Sequence, residues 1–210
     1  MGRERLRCLT PHHPRTARRA IPTALLESRA NGGMLPAMNL KATLSALLSM
    51  VFLPITSQAE PLAIGAAAPD VSGPDQDGKS VNFKDVYARG LTLVYFYPKA
   101  DTPGCTKQAC SLRDDWSALQ AKGVQVLGVS EDTGADQKKF AEKYKLPFTL
   151  IADHEGKVAA AFQVDMRGKM TSRQSFLIKD GKVAWTMLKG TTTETHAKDV
   201  LTAVDELGKK

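Results

Sequence analysis

The run Leu91-Thr92-Leu93-Val94-Tyr95-Phe96-Tyr97 constrains this chain more than any other stretch, because it is apolar or β-branched at nearly every position. A strand with two apolar faces needs cover on both, so the run predicts a central strand with helices above and below it. The rest of the chain offers that cover. Leu112, Trp116 and Leu119 recur at i, i+4 and i+7 and predict one amphipathic helix. Residues 124–129 read as a second buried strand, Phe140, Ala141 and Tyr144 mark a second helix, and residues 148–151 read as a third strand. Residues 175–178 and 183–188 are joined by Lys179-Asp180-Gly181-Lys182, a hairpin signal. Ala197, Val200, Leu201, Val204 and Leu207 share one face of a last helix that stops at Gly208. Upstream, Asp77-Gly78 followed by alternating Val81 and Phe83 predicts another hairpin. The order implies an α/β domain over residues 60–210, with a mixed central sheet and helices on both faces. It contains no internal repeat and no interdomain linker.

A formal charge of +7 over 210 residues suggests nucleic acid as a partner until the charge is located. Eight of the 29 Lys and Arg lie in residues 1–59, against only Glu4 and Glu27; residues 60–210 hold 21 basic and 20 acidic side chains. The basicity belongs to the leader, and no nucleic-acid partner is expected. From Met38 the leader reads as a signal peptide over 38–59. Lys41 supplies the positive end, residues 42–52 the apolar run, Pro54 a helix stop, and Ser57-Gln58-Ala59 small residues before a cut near Glu60. That run is shorter than the about 20 residues of a comfortable membrane span. The expected location is therefore periplasmic or secreted, with no stable membrane association after processing. A retained anchor, a core helix and an Arg-rich organellar transit peptide are the alternatives. Residues 1–37 have no apolar period and predict no packed element; they read as an extension upstream of a true start at Met38 or Met34. Cys8 leaves with the leader, so the mature chain keeps Cys105 and Cys110.

The chemistry lies directly after the central strand, in Pro98-Lys99-Ala100-Asp101-Thr102-Pro103-Gly104-Cys105-Thr106-Lys107-Gln108-Ala109-Cys110. Thr102 is a favoured N-cap and Pro103 a favoured first helical residue, which puts Cys105 in the first turn. Exposed N–H groups and the positive end of the helix dipole favour a thiolate there. That effect raises the population of nucleophile but supplies only part of an enzyme's rate enhancement, so other groups must stabilise the transition state. The alternative is a small buried hydrophobe at a helix start. A zinc site is disfavoured, because two cysteines spaced C-x4-C with no nearby histidine pair cannot fill four ligand positions.

These residues resemble a known family. Pro98-x-x-x-Thr102-x-x-Cys105 matches the active-site signature of peroxiredoxins. The longer string through Cys110, with Pro74-Asp75-Gln76-Asp77-Gly78, Gly128-Val129-Ser130 and Arg173-Gln174-Ser175-Phe176-Leu177-Ile178, is similar to the bacterioferritin-comigratory-protein (PrxQ) branch. The likeness spans residues 61–209 and implies a thioredoxin-like fold. It implies thiol-dependent reduction of hydrogen peroxide and organic hydroperoxides without haem, flavin or metal, by a monomer re-reduced by thioredoxin or a thioredoxin-like donor. By the same likeness Cys105 is the peroxidatic cysteine, which becomes a sulfenic acid, and Thr102 bonds the peroxide. Pro98 and Pro103 shape and shield the pocket, and Arg173 holds the thiolate and the peroxide oxygens. A guanidinium suits that role; without the motif Arg173 would read equally well as a surface residue.

Cys110 resembles the resolving cysteine of this branch, which closes an intramolecular Cys105–Cys110 disulfide. Five residues along a helix give about 7.5 Å of rise and about 140° of rotation. A disulfide needs Cα atoms within roughly 7 Å, so the first turns of the helix are expected to unwind when the bond forms. Plain core packing is the alternative for Cys110. His154 and His196 have no sequence partner and are expected at the surface; Lys138, Lys139, Lys143 and Lys145 read as a solvated helix face. Three other functions stand beside the peroxidase reading. A thioredoxin-type oxidoreductase lacks its C-x-x-C here. A secreted domain with a structural disulfide and a one-cysteine peroxidase resolved by an external thiol are separated from it by experiment.

Overall fold

The computed structural model describes residues 62–189 and 193–209; the signal-peptide reading of 38–59 and the reading of 1–37 fall outside them. The Asp77-Gly78 turn joins β1 (Ser72–Pro74) and β2 (Ser80–Asn82) into the expected antiparallel hairpin. Phe83 does not continue that strand. The Asn82 side chain accepts from the Lys84 amide at 2.9 Å and starts the short helix α1 (Phe83–Tyr87), which no apolar period announced.

The central run forms β3 (Thr92–Phe96), buried at all five positions. After it come α2 (Pro103–Asp114) and α3 (Trp116–Ala121), where the sequence predicts one helix. The break falls at Asp115, whose backbone (φ −98°, ψ 15°) leaves the helical region and whose carbonyl accepts from Ala118 and Leu119, while the apolar stripe continues across it. The chain continues through β4 (Gln125–Ser130), α4 (Gly134–Tyr144) and β5 (Thr149–Ala152). Next is the short α5 (Lys157–Ala161), whose first amides, Val158 and Ala159, bond the Asp153 carboxylate at 3.0 and 2.8 Å. A small hairpin, β6 (Met166–Arg167) and β7 (Met170–Thr171), precedes β8 (Gln174–Lys179) and β9 (Lys182–Met187). Asp180 and Gly181, both at positive φ (53° and 70°), make the β8–β9 turn. The helix α6 (His196–Leu207) ends at Gly208.

Five strands form one sheet in the order β5-β4-β3-β8-β9. β3, β4 and β5 run parallel, whereas β8 is antiparallel to β3 and β9 to β8. This is the mixed sheet that the segment order implies. Alternation along β3 divides the core. Leu93, Tyr95 and Tyr97 pack with Leu112, Leu119, Phe140 and Val200 from α2, α3, α4 and α6; Val94 and Phe96 pack with Phe83, Val158 and Phe162 on the other side. The architecture is thioredoxin-like, with helices on both faces. Among the described residues no helix is long and apolar enough to cross a membrane.

Candidate active site

The segment between β3 and α2 leaves the carboxyl end of the central strand, the usual place for a site in an α/β sheet. Four side-chain contacts hold it. Thr171 Oγ1 donates to the Tyr97 carbonyl at 2.9 Å, and the Ala100 amide donates to Asp132 Oδ2 at 2.7 Å. Asp101, at φ 56°, accepts from Lys143 Nζ and from the Tyr144 hydroxyl at 2.7 Å. Lys138 and Lys143 lie on the expected solvated face of α4, each in an exposed ion pair.

Thr102 stands at the N-cap of α2 with extended backbone, and Pro103 opens the helix. The expected capping bond is absent. Thr102 Oγ1 instead donates to the Lys99 carbonyl at 2.9 Å. No side chain caps α2, so its first amides keep their affinity for an anion. Cys105 follows in the first turn, 2% exposed and with a free thiol.

Arg173, in the segment before β8, reaches this thiol: its Nη2 donates to Cys105 Sγ at 3.4 Å. Gly104 makes the approach possible, since a Cβ there would stand 3.3 Å from Nη2. The other arm of the guanidinium, Nη1, donates to Gln108 Oε1. Gln108 lies one turn after Cys105 on the same face of α2 and is fully buried. Arg173 also lines a cavity of about 570 Å³, whose lining includes the apolar Pro98, Met170 and Leu188 and the charged Asp165, Arg167 and Lys189. The fold thus gathers Cys105, Arg173, Thr102 and Pro98 at one end of the sheet.

Cys110 is buried on the same unbroken helix as Cys105. The Cys105 thiol is free, so the two sulfurs are not joined to each other. The helix explains the separation, with about 7.5 Å of rise and about 140° of rotation between the two positions.

His196 departs from expectation. It is fully buried, with Gln108 Nε2 at 3.2 Å from Nδ1 and Ser175 Oγ at 2.9 Å from Nε2. Burial, aided by the Arg173 charge, lowers its pKa to about 3 and keeps the ring neutral. Its ring meets Tyr95 edge-on, with centroids 5.8 Å apart. The hydroxyl of Tyr95 is buried without a hydrogen-bond partner, and burial raises its pKa far above the usual phenol range. Sequence reasoning missed Gln108, His196 and Ser175 as parts of one network. The only signal was that Gln108 follows Cys105 by three residues on a helix. His154 is exposed, as expected. Among the described residues no group of three His, Cys, Asp or Glu is placed to hold a metal ion.

A thioredoxin-like domain that sets a buried thiol at the open start of a helix, against an arginine, has the features of a thiol-dependent peroxidase. Residues 64–186 match the AhpC/TSA family, and the chain belongs to that family. It is similar to Peroxiredoxin Bcp of Escherichia coli (strain K12), with 48% identity over 131 residues, 59% of this chain and 83% of that protein. Chloroplastic Peroxiredoxin Q of Oryza sativa subsp. japonica is 39% identical over 146 residues, covering 68% of this chain and 67% of its own length. Among solved structures, the peroxidoxin BcpB from Mycobacterium tuberculosis superimposes with a TM-score of 0.66 at 32% identity, over 70% of this chain and 98% of that one. The chain is therefore a peroxiredoxin, a peroxidase of the oxidoreductase class.

Proposed function

We propose that Cys105 is the peroxidatic thiolate for hydrogen peroxide and organic hydroperoxides, that Cys110 resolves its sulfenic acid, and that thioredoxin or a thioredoxin-like dithiol restores both. The observation that carries this reading is the 3.4 Å contact between Arg173 Nη2 and Cys105 Sγ. A fixed positive charge there favours the thiolate and stays in place for the charge that develops on the departing oxygen. The thiolate attacks one peroxide oxygen, the O–O bond breaks, and the departing alkoxide or hydroxide takes a proton to leave as alcohol or water. The Thr102 hydroxyl already donates to Lys99, which leaves its oxygen to accept the hydroperoxide proton. Met170, Leu188 and Pro98 put apolar side chains in the lining of the adjoining cavity, which suits an organic substituent.

In the second step the Cys110 sulfur attacks the sulfenic sulfur, the S–O bond breaks, and water leaves. The first turns of α2 unwind to bring the sulfurs together, which also exposes the disulfide to its reductant. The apolar run after Lys41 supports export, with the mature chain beginning near Glu60; an N-terminus at that residue in protein isolated from cells tests this.

The chemistry is tested with the full chain reduced at Cys8, Cys105 and Cys110 and mixed with a slight excess of hydrogen peroxide. The expected result is loss of the Cys105 and Cys110 thiols within minutes and a Cys105–Cys110 peptide in the digest. In Cys110→Ser a dimedone adduct accumulates on Cys105. A Cys105 thiol that persists refutes the peroxidase site. Thioredoxin-driven turnover of Cys110→Ser at the wild-type rate refutes the resolving role alone.

A further inference from the structure

We propose that His196 is a positioning residue for this site: through the amide of Gln108 it fixes the Arg173 guanidinium against the Cys105 sulfur. The inference rests on Cys105 being the peroxidatic thiol and adds a part that neither the helix start nor the arginine contains.

The polarity of the chain of bonds follows from its first member. A guanidinium only donates, so the Gln108 atom facing Arg173 Nη1 must be the carbonyl oxygen. The Gln108 amide nitrogen then faces His196 Nδ1 at 3.2 Å, and that nitrogen must accept. The remaining proton of a neutral imidazole sits on Nε2 and is donated to Ser175 Oγ at 2.9 Å. Each orientation forces the next, and one arrangement satisfies every group. A proton on Nδ1 would oppose the Gln108 N–H. Rotating the amide to avoid this would turn its N–H toward Arg173.

The surroundings keep the ring in that state. From α2 it meets Gln108, and Ser111 Oγ accepts the neighbouring Ala197 amide at 3.0 Å. From β8 it meets Ser175, and from β3 the Tyr95 ring; the nearby cation is Arg173 itself. None of these carries a negative charge that would favour an imidazolium. Gln108, Ser175 and His196 are each fully buried, so water cannot substitute for a lost partner. Without an acceptor at Nδ1 the Gln108 amide loses its preferred rotamer, and the guanidinium loses the oxygen that aims its second arm at sulfur.

The test compares full-length His196→Asn, which keeps an oxygen near the Nδ1 position, with His196→Leu, which does not. Second-order rates with hydrogen peroxide and the pH titration of thiolate absorbance are measured on reduced protein. His196→Leu is expected to react about tenfold slower or worse, as for a displaced catalytic group, and to titrate at higher pH; His196→Asn stays within about threefold of wild type. A role in packing alone would not move the titration or be rescued by Asn. His196→Leu with wild-type rate and titration overturns the proposal, as does His196→Asn no better than Leu. Nitrogen-15 NMR of the wild-type ring decides it independently of folding in the variants: a proton on Nε2 at neutral pH supports it, and a proton on Nδ1 overturns it. Wild-type protein that leaves peroxide unreacted would refute the peroxidase site instead, and the ring measurement would still settle the bonding.

Discussion

Lowering the pH from about 7.5 to about 4.5 is expected to cost the fold about 2–3 kcal/mol through His196 alone. In the folded chain burial, and then the Arg173 charge, depress the imidazole pKa to about 3; in the unfolded chain it returns to about 6.5. The unfolded state therefore binds the proton first as pH falls. The contribution of the neutral ring is complete above about pH 6.5, is lost by about 1.4 kcal/mol per pH unit below it, and levels off near pH 3. Two units, from 6.5 to 4.5, account for the stated loss. Urea unfolding followed by circular dichroism across this range measures it. With a slope of about 1–3 kcal/mol per molar urea, the midpoint should fall by about 1–3 M. Burial also raises carboxyls such as that of Asp153 above their usual range. They are shared by His196→Asn, so the difference between the two proteins isolates the ring. A stability difference between wild type and His196→Asn that stays constant from pH 7.5 to 4.5 would refute the reasoning.

Gly104→Ala places a methyl group 3.3 Å from Arg173 Nη2. The flexible end of the arginine moves away, so the melting temperature should hold while the rate with peroxide falls about tenfold; an unchanged rate refutes the role given to that contact. Arg173→Lys keeps the charge but cannot reach Cys105 and Gln108 together, and stopped-flow oxidation should slow by about 10²-fold. Gly128→Ala would put its Cβ 2.7 Å from Tyr95 Oη and 2.8 Å from Leu150 Cδ2, an overpacking expected to cost about 1–3 kcal/mol in urea unfolding. In the oxidised protein, amides of the first turns of α2 should exchange with deuterium faster than in the reduced protein, and equal protection would refute the unwinding.

The parts of the fold legible in the sequence are those encoded by local periodicity. The two-faced apolar run became β3, the Asp180-Gly181 pair became a hairpin turn, and the i, i+4, i+7 pattern from Leu112 became helix. The short α1 and α5 were not legible, because five-residue helices show barely one turn of any period. The break at Asp115 was hidden because the stripe from Leu112 to Leu119 runs straight across it.

Sequence alone determined where the Cys105 sulfur stands, since a proline, a glycine and a cysteine in succession after a central strand constrain the backbone locally. Only the tertiary structure decided what surrounds that sulfur. Arg173 lies 68 residues further along the chain yet donates to Cys105 Sγ, and His196 lies 88 residues from Gln108 yet binds its amide. Hydrogen-bond partners at such separations follow from strand order and helix packing, which bring β8 and α6 beside α2. For the same reason a histidine that reads as a surface residue in the linear chain lies at the centre of the buried polar network.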